Sequence, residues 1–380
     1  MGKCNMKCLK VRAVSSPLEW RRFLSFPKEL YAEEPRWVPP LARDEEQRVG
    51  FRRHPFHDAN RVQAFLAERD GQVVGRIAAI HNLRHNHHHG ERRGFFGFFE
   101  CRNDGPAARG LVGAAADWLA ARGLTDLLGP MSPSIDYQVG VLVDGFDEPP
   151  SFMMPYNSSY YAGLLAECGL AKSQDLFALA FSRRQAPAVL PRLWRVAQRV
   201  IERHNVRIRP LDRRRFRDDL DLFLSVVNRS LTGHWGHVPL SSAEMNHMAA
   251  GMRWLSAPEL ALIAEIDRQP VGVALALPDY NPRVKRIGGR LLPFGFVGLL
   301  AGKRRIKHLR VMAVNVLPEW KRSGLGIALT ATLLSAALEG GAEEMEFSWV
   351  AESNPLSHGS LETGGAQRSK TYRVYDAPIP

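Results

Sequence analysis

Cysteine is scarce in this chain: four residues, at positions 4, 8, 101 and 168, in 380. Their scatter gives neither the ligand spacing of a zinc site nor a disulfide framework, and a reducing cytoplasm is the expected compartment. No apolar run approaches the roughly 18 residues that cross a bilayer, and Met1–Cys8 lacks the apolar centre of a secretory signal. No Gly-x-Ser-x-Gly string occurs, which excludes the nucleophile elbow of a serine hydrolase. Acidic residues are outnumbered, 39 Asp and Glu against 51 Lys and Arg, and the net charge of +12 calls for an anionic partner.

What the chain does have is enough length and enough apolar content, 45%, for two packed cores. The most informative stretch is 311–329. An apolar, β-prone run stops at Leu317-Pro318-Glu319. Lys321-Arg322-Ser323-Gly324-Leu325-Gly326 follows, then a helical pattern through Leu329, Leu333 and Leu334. A strand feeding a glycine-rich turn at a helix N-terminus makes an anion site, because unpaired N–H groups and the helix dipole converge there. Gly324 and Gly326 permit the close backbone approach to a phosphate that a Cβ would prevent.

The neighbouring elements form an order. Leu260–Ile266 and Val271–Leu277 are short apolar runs joined as a hairpin by Asp267-Arg268-Gln269-Pro270. After the turn come a helix over 328–338, a buried strand at Met345–Val350, a helix over Asn354–Thr363 ending at Gly364-Gly365, and a last strand at Tyr372–Tyr375. This order resembles the GNAT superfamily of acyl-CoA N-acyltransferases. There the turn after the fourth strand holds the CoA pyrophosphate and reads Arg or Gln, two residues, Gly, any residue, then Gly or Ala. Here Lys321 stands first, and Gly324 and Gly326 are in place. The resemblance implies acyl-CoA as co-substrate, bound by Lys321, Arg322, Ser323, Gly324, Leu325 and Gly326.

The first half follows a related plan. Val62–Ala67 and Val73–Ile80 flank the hairpin signal Glu68-Arg69-Asp70-Gly71, and Ala107–Arg122 reads as an amphipathic helix before the apolar run Leu127-Leu128-Gly129-Pro130. No basic glycine turn occurs there. The expected architecture is α/β: tandem GNAT-like domains, each a mixed central sheet flanked by helices. They are a degenerate domain at 1–185, a connecting amphipathic helix at 186–205, and an acyl-CoA-binding domain at 206–380. The strings Gly94-Phe95-Phe96-Gly97-Phe98-Phe99-Glu100, Leu142-Val143-Asp144-Gly145-Phe146-Asp147, Trp235-Gly236-His237-Val238-Pro239-Leu240 and Lys370-Thr371-Tyr372-Arg373-Val374-Tyr375 extend the resemblance over nearly the whole chain. They are similar to bacterial two-part GNAT proteins and, within them, to bacterial ceramide synthases, which acylate the amine of a sphingoid base. Asp136-Tyr137-Gln138 departs from the Asn-Asp-Glu that precedes Leu-Val-Asp-Gly-Phe in that group.

Charge is concentrated at 281–310. Nine Lys and Arg and no acidic residue flank the apolar centre Leu291–Leu300. Two readings stand: an element lying on an anionic membrane surface, with acyl-facing side chains in the middle, or a hairpin lid over the substrate pocket. Nucleic acid is disfavoured, because the apolar centre lacks residues that stack on or read bases. In the helix around Leu190–Ile201 an apolar face opposes Arg192, Arg195, Arg199 and Arg203, and it is expected to bury its stripe between domains.

Amine acylation needs a thioester beside a neutral amine, a donor for the oxyanion and a route for the proton. The resemblance implies a backbone N–H from Asn315 or Val316 for the thioester carbonyl, Glu352 as base, directly or through water, and Asn354 beside the pantetheine arm. Asn354 also reads as a helix cap. The tyrosine acid of many relatives falls on Leu361 here. Tyr372 or Tyr375 could supply a hydroxyl, although strand aromatics usually pack a sheet. The run His81, His85, His87, His88, His89 reads as a polar loop rather than a metal site, and no metal is expected. Asp212-Arg213-Arg214-Arg215-Phe216-Arg217-Asp218-Asp219 reads as the solvated start of a helix. The acceptor is expected to be an amine, long-chain at the inner membrane surface. A soluble amine, a protein N-terminus, or a non-catalytic acyl-CoA-binding module are the alternatives.

Overall fold

The computed structural model describes residues 9–380; Cys4, Cys8 and the rest of the N-terminal stretch lie outside the described residues. Two compact units interleave along the chain. One takes residues up to Asp175, Val284–Leu292 and Thr371–Pro380; the other takes Leu176–Arg283 and Pro293–Lys370.

The first unit contains β1 (Leu9–Ala13), α1 (Pro17–Leu30), α2 (Ala42–Arg48), α3 (Phe56–Ala59), β2 (Arg61–Arg69), β3 (Gln72–His81), α4 (Leu83–His89), β4 (Arg93–Cys101) and α5 (Gly105–Ala120). Then come β5 (Asp126–Gly129), β6 (Met131–Ser132), β7 (Gln138–Val139), β8 (Val141–Asp144), α6 (Tyr161–Glu167) and the start of β9 (Ala171–Ser182). The second unit continues with α7 (Ala186–His204), β10 (Arg207–Pro210), α8 (Phe216–Ser230), α9 (Ser242–Leu255), β11 (Ala261–Ile266), β12 (Gln269–Pro278), α10 (Asn281–Arg286, of which Val284–Arg286 belong to the first unit) and α11 (Gly295–Leu300). It closes with β13 (His308–Val316), α12 (Leu325–Glu339), β14 (Glu344–Ala351), α13 (Pro355–Thr363) and the start of β15 (Gln367–Pro378), whose later residues belong to the first unit.

Both predicted hairpins form, and for one reason. Asp70 and Gly71 have φ of 53° and 80°, and Asp267 and Arg268 have 49° and 65°. Positive φ at both central residues twists the turn in the sense that flanking strands need. In the first unit the strand order is β1-β2-β3-β4-β5-β15, with β8 also on β15. All pairs are antiparallel except β4 with β5. Side chains alternate across the sheet. Phe65 and Ala67 therefore join the core with Leu111 and Leu119 of α5, while Ala64 and Leu66 join Phe23 and Phe26 of α1. Burial on both faces explains why β2 reads as a continuous apolar run instead of an alternating one. In the second unit the order is β9-β14-β13-β12-β11-β10, again antiparallel except for one pair, β13 with β14. Leu325, Leu329 and Leu333 of α12 pack into its core.

Several expectations need correction. His81 ends β3, and the rest of the histidine run, His85 to His89, is helical, because Asn82 accepts from the His85 N–H at the helix start and Gly90, at φ 68°, stops it. His85 is buried beside Glu91 at 3.2 Å, and burial, outweighing that carboxylate, pushes its pKa down to about 4. No group of three or more His, Cys, Asp or Glu among the described residues is arranged to hold a metal ion. Asp219 is not solvated: it is 1% exposed and accepts from both terminal nitrogens of Arg209, at 2.7 and 2.8 Å. Burial raises its pKa, but Arg209 and the Asp212 N–H outweigh this and hold it below the ordinary value.

The 281–310 segment is not a hairpin but two short helices and a 3-10 turn, Lys303–Arg305. Glycines 288, 289 and 302, all at positive φ, break it into pieces. Many of its cations are structural. Arg283 donates to the carbonyls of Leu299, Ala301 and Gly302, Lys303 to those of Trp254 and Ser256, and Arg310 to Ser348. The helix around Leu190–Ile201 is α7, whose Leu193, Ala197 and Ile201 bury against Ala328 and Ala331 of α12 within the second unit. No helix among the described residues is long and apolar enough to cross a membrane.

Candidate active site

The second unit places the basic glycine turn between β13 and α12. β13 pairs with β14 only from His308 to Val311, opposite Glu344 to Phe347. Beyond that point β13 keeps its other neighbour, β12, and the parallel ladder ends. The Leu317 N–H donates to Val271 of β12 at 2.9 Å. By the two-residue alternation of a strand, the Asn315 N–H faces β12, whereas the N–H groups of Val314 and Val316 face the open edge. The Asn315 side chain is itself engaged, donating to Ser230 Oγ at 2.9 Å.

The turn is shaped for an anion. Gly324, at φ 86°, occupies the N-cap position of α12, and no side chain caps the helix. The N–H groups of Lys321, Ser323 and Leu325 find Pro318, Trp320 and Ser323 Oγ. Those of Arg322, Gly324 and Gly326 have no acceptor among the described residues. Three open donors at the positive end of a fifteen-residue helix suit the phosphates of CoA. Lys321 and Arg322 are exposed beside them. Lys321 Nζ also lies 3.0 Å from His234 Nε2. Burial first, then the Lys321 charge, push the His234 pKa below its ordinary value, so a neutral ring accepts from the lysine. A Cβ on Gly324 would meet Val200 of α7 at 2.8 Å, while one on Gly326 would meet nothing closer than Val316 at 3.9 Å. Helix α7 thus supports the turn from behind, and His204 adds a ring contact to Trp320 at 5.3 Å.

Glu352 follows the end of β14 in a turn and is exposed. Asn354 is the N-cap of α13, its side chain accepting from the Ser357 N–H at 3.3 Å. Its capping role is a fact of the fold and leaves a role toward the ligand open. Leu361 is partly buried against the core. Tyr372 is fully buried, Tyr375 nearly so, and both belong to the first unit. The second unit contains Val316, the turn 321–326, Glu352 and Asn354, and does not include Tyr372. His234 and Ser230 were missed from the sequence: each meets its partner across more than eighty residues, a distance that no local pattern reports.

One exposed apolar region belongs to the same unit. Trp254, Phe294, Phe296 and Val297 are 63%, 79%, 49% and 51% exposed. Lys303 binds the carbonyl of Trp254, and Arg304 and Arg305 adjoin it with no ion pair among the described residues.

Residues 228–363 match the model of the acetyltransferase (GNAT) family. The chain is 34% identical, over 98% of its length and 98% of the relative's, to a protein of Caulobacter vibrioides named bacterial ceramide synthase. It is 31% identical, over 97% and 95% respectively, to Protein YghO of Escherichia coli K12. Among solved structures, a tandem GNAT protein from the clavulanic acid biosynthesis pathway shares the fold with a TM-score of 0.58 at 14% identity, over 98% of this chain and 99% of that one.

Proposed function

This chain belongs to the acetyltransferase (GNAT) family and is an N-acyltransferase, and from that premise we propose that it transfers an acyl group from acyl-CoA to the amine of a long-chain base. The open turn carries this reading: the free N–H groups of Arg322, Gly324 and Gly326, with Lys321, fit the pyrophosphate. The Val316 N–H on the open edge of β13 suits the thioester carbonyl, where it would stabilise the developing oxyanion. The neutral amine attacks that carbon, a C–N bond forms, the C–S bond breaks and CoA leaves as thiolate. Glu352, through water, takes the proton the amine sheds. A thiol pKa near ~8.5 lets the thiolate leave without a dedicated acid, so this mechanism assigns Tyr372 to packing. Asn354 holds α13 in place beside the pantetheine arm.

Two observations favour a lipid acceptor. The Caulobacter relative carries the name of a ceramide synthase, and Trp254, Phe294, Phe296 and Val297 stand exposed beside unpaired arginines. Aromatic and aliphatic side chains next to cations suit the interface of an anionic bilayer. Purified protein incubated with acetyl-CoA or palmitoyl-CoA and a pool of sphinganine, 3-ketosphinganine, polyamines, amino acids and peptides is expected to give a new amide on a long-chain base by mass spectrometry. An amide on a soluble amine alone would discard the lipid acceptor and keep the transferase. The double variant Phe294→Glu/Phe296→Glu is expected to lose co-flotation with anionic vesicles. Retained flotation would remove this surface from the proposal.

A further inference from the structure

The first unit holds a partly open cavity of about 100 Å³ that the acyl-transfer site does not use. That is room for several water-sized groups. Its walls include Trp37, Phe98, Met154 and Tyr156, and two carboxylates and a guanidinium also line it: Glu45, Glu100 and Arg76.

The charges there do not balance. Arg76, 3% exposed, donates through its terminal nitrogens to Glu45 Oε1 at 2.7 Å and to the Phe23 carbonyl at 2.9 Å, with its guanidinium over the Phe23 ring at 4.8 Å, while its Nε has no hydrogen-bond partner among the described residues. It reaches Glu100 Oε1 only at 4.0 Å. Glu100 Oε2 accepts from the hydroxyls of Tyr31 and Tyr161, each at 2.7 Å, while Oε1 has only the long contact to Arg76. Two carboxylates thus share one guanidinium at this cavity, and with both ionised one negative charge is left over. An underpaired buried charge is costly. Burial, ahead of the opposing pull of Arg76 and the two phenols, raises the Glu100 pKa. The 16% of the Glu100 side chain that remains accessible belongs to a residue of the cavity wall.

A neutral ligand would leave that charge uncompensated, and an anion would double it. A cation completes the set, and aromatic walls favour one through their ring faces. We propose that this cavity binds the ammonium group of a small primary amine, with Glu100 as counter-ion and Trp37 and Tyr156 beside the stem. The site stands apart from the acyl-transfer reading and holds whether or not that reading does.

The test is calorimetric titration of the full chain with ethylamine, ethanol and acetate. Ethylamine is expected to bind saturably, and ethanol and acetate not at all. Glu100→Gln, whose amide oxygen still accepts from the two phenols, is expected to weaken ethylamine binding about tenfold or more. Glu352→Gln, at the other site, is expected to leave it unchanged, which separates this cavity from the acceptor site. Should Glu100→Gln misfold, Trp37→Leu is expected to weaken ethylamine several-fold with Glu100 in place. Equal binding of ethanol, no saturable heat with ethylamine, unchanged affinity in Glu100→Gln or Trp37→Leu, or loss in Glu352→Gln instead would each overturn the proposal.

Discussion

The two units build the same strand–turn–helix and finish it in opposite ways. In the first, Asp104 caps α5 by accepting from the Ala107 N–H at 3.1 Å, and Arg69 clamps that carboxylate at 2.8 to 3.1 Å. The chain supplies its own anion where a phosphate would sit. It closes the strand edge as well: the Phe98 N–H of β4 donates to Ser132 Oγ at 2.8 Å. At Gly97 the backbone comes so near Met131 that a Cβ would lie 1.7 Å from its carbonyl oxygen. In the second unit a glycine stands at the cap, three turn N–H groups stay open, and β13 keeps a free edge beyond Val311. The first unit thus meets the Ala107 and Phe98 donors from within, where the second leaves its turn open.

The strongest way to break this comparison is to close the open turn. Gly326→Glu puts a carboxylate among the free donors at a position with ordinary space for a side chain. It is expected to weaken CoA binding about a hundredfold or more by calorimetry, with little change in melting temperature. Unchanged affinity would mean that the turn is not the phosphate site. Gly324→Glu is a poorer probe, because φ of 86° and the contact with Val200 would strain the fold itself.

The reciprocal experiment opens the closed turn. Asp104→Ala removes the cap and its tie to Arg69, and is expected to cost about 1–2 kcal/mol in denaturant unfolding. CoA stoichiometry should stay the same, since Ser132 still blocks the strand edge. A second equivalent of bound CoA would show that the carboxylate alone had closed the first unit.

The smallest effects sharpen the second unit. Lys321 is exposed, so Lys321→Gln is expected to weaken CoA only several-fold, with a shallower salt dependence. The same change removes the cation that helps depress His234, whose titration midpoint by NMR is expected to rise. A midpoint that falls or stays put would exclude the Lys321–His234 contact from solution.

Features that depend on a few consecutive residues were legible in the sequence. Asp70-Gly71 and Asp267-Arg268 announced both hairpins, Gly324-Leu325-Gly326 the open helix start, and Asn354 with Pro355 the start of α13. What escaped depends on distant partners. Asp219 looked solvated because Arg209 is useful to it only once β10 and α8 are in place, with Glu265 on the same guanidinium. The cations of 281–310 looked free because backbone carbonyls, which leave no trace in composition, take up several of them. The helical state of His85 to His89 rests on the caps Asn82 and Gly90, which composition alone does not weigh.

Strand β15 carries a consequence for biosynthesis. Thr371–Pro378 pairs with β5 and β8, so the sheet of the first unit is completed by residues made only after the whole of the second. A nascent chain presents β5, with Leu127 and Leu128, without that neighbour while the rest is still being translated. Unpaired apolar edges are where nascent chains associate wrongly. The unit that emerges first is thus completed last.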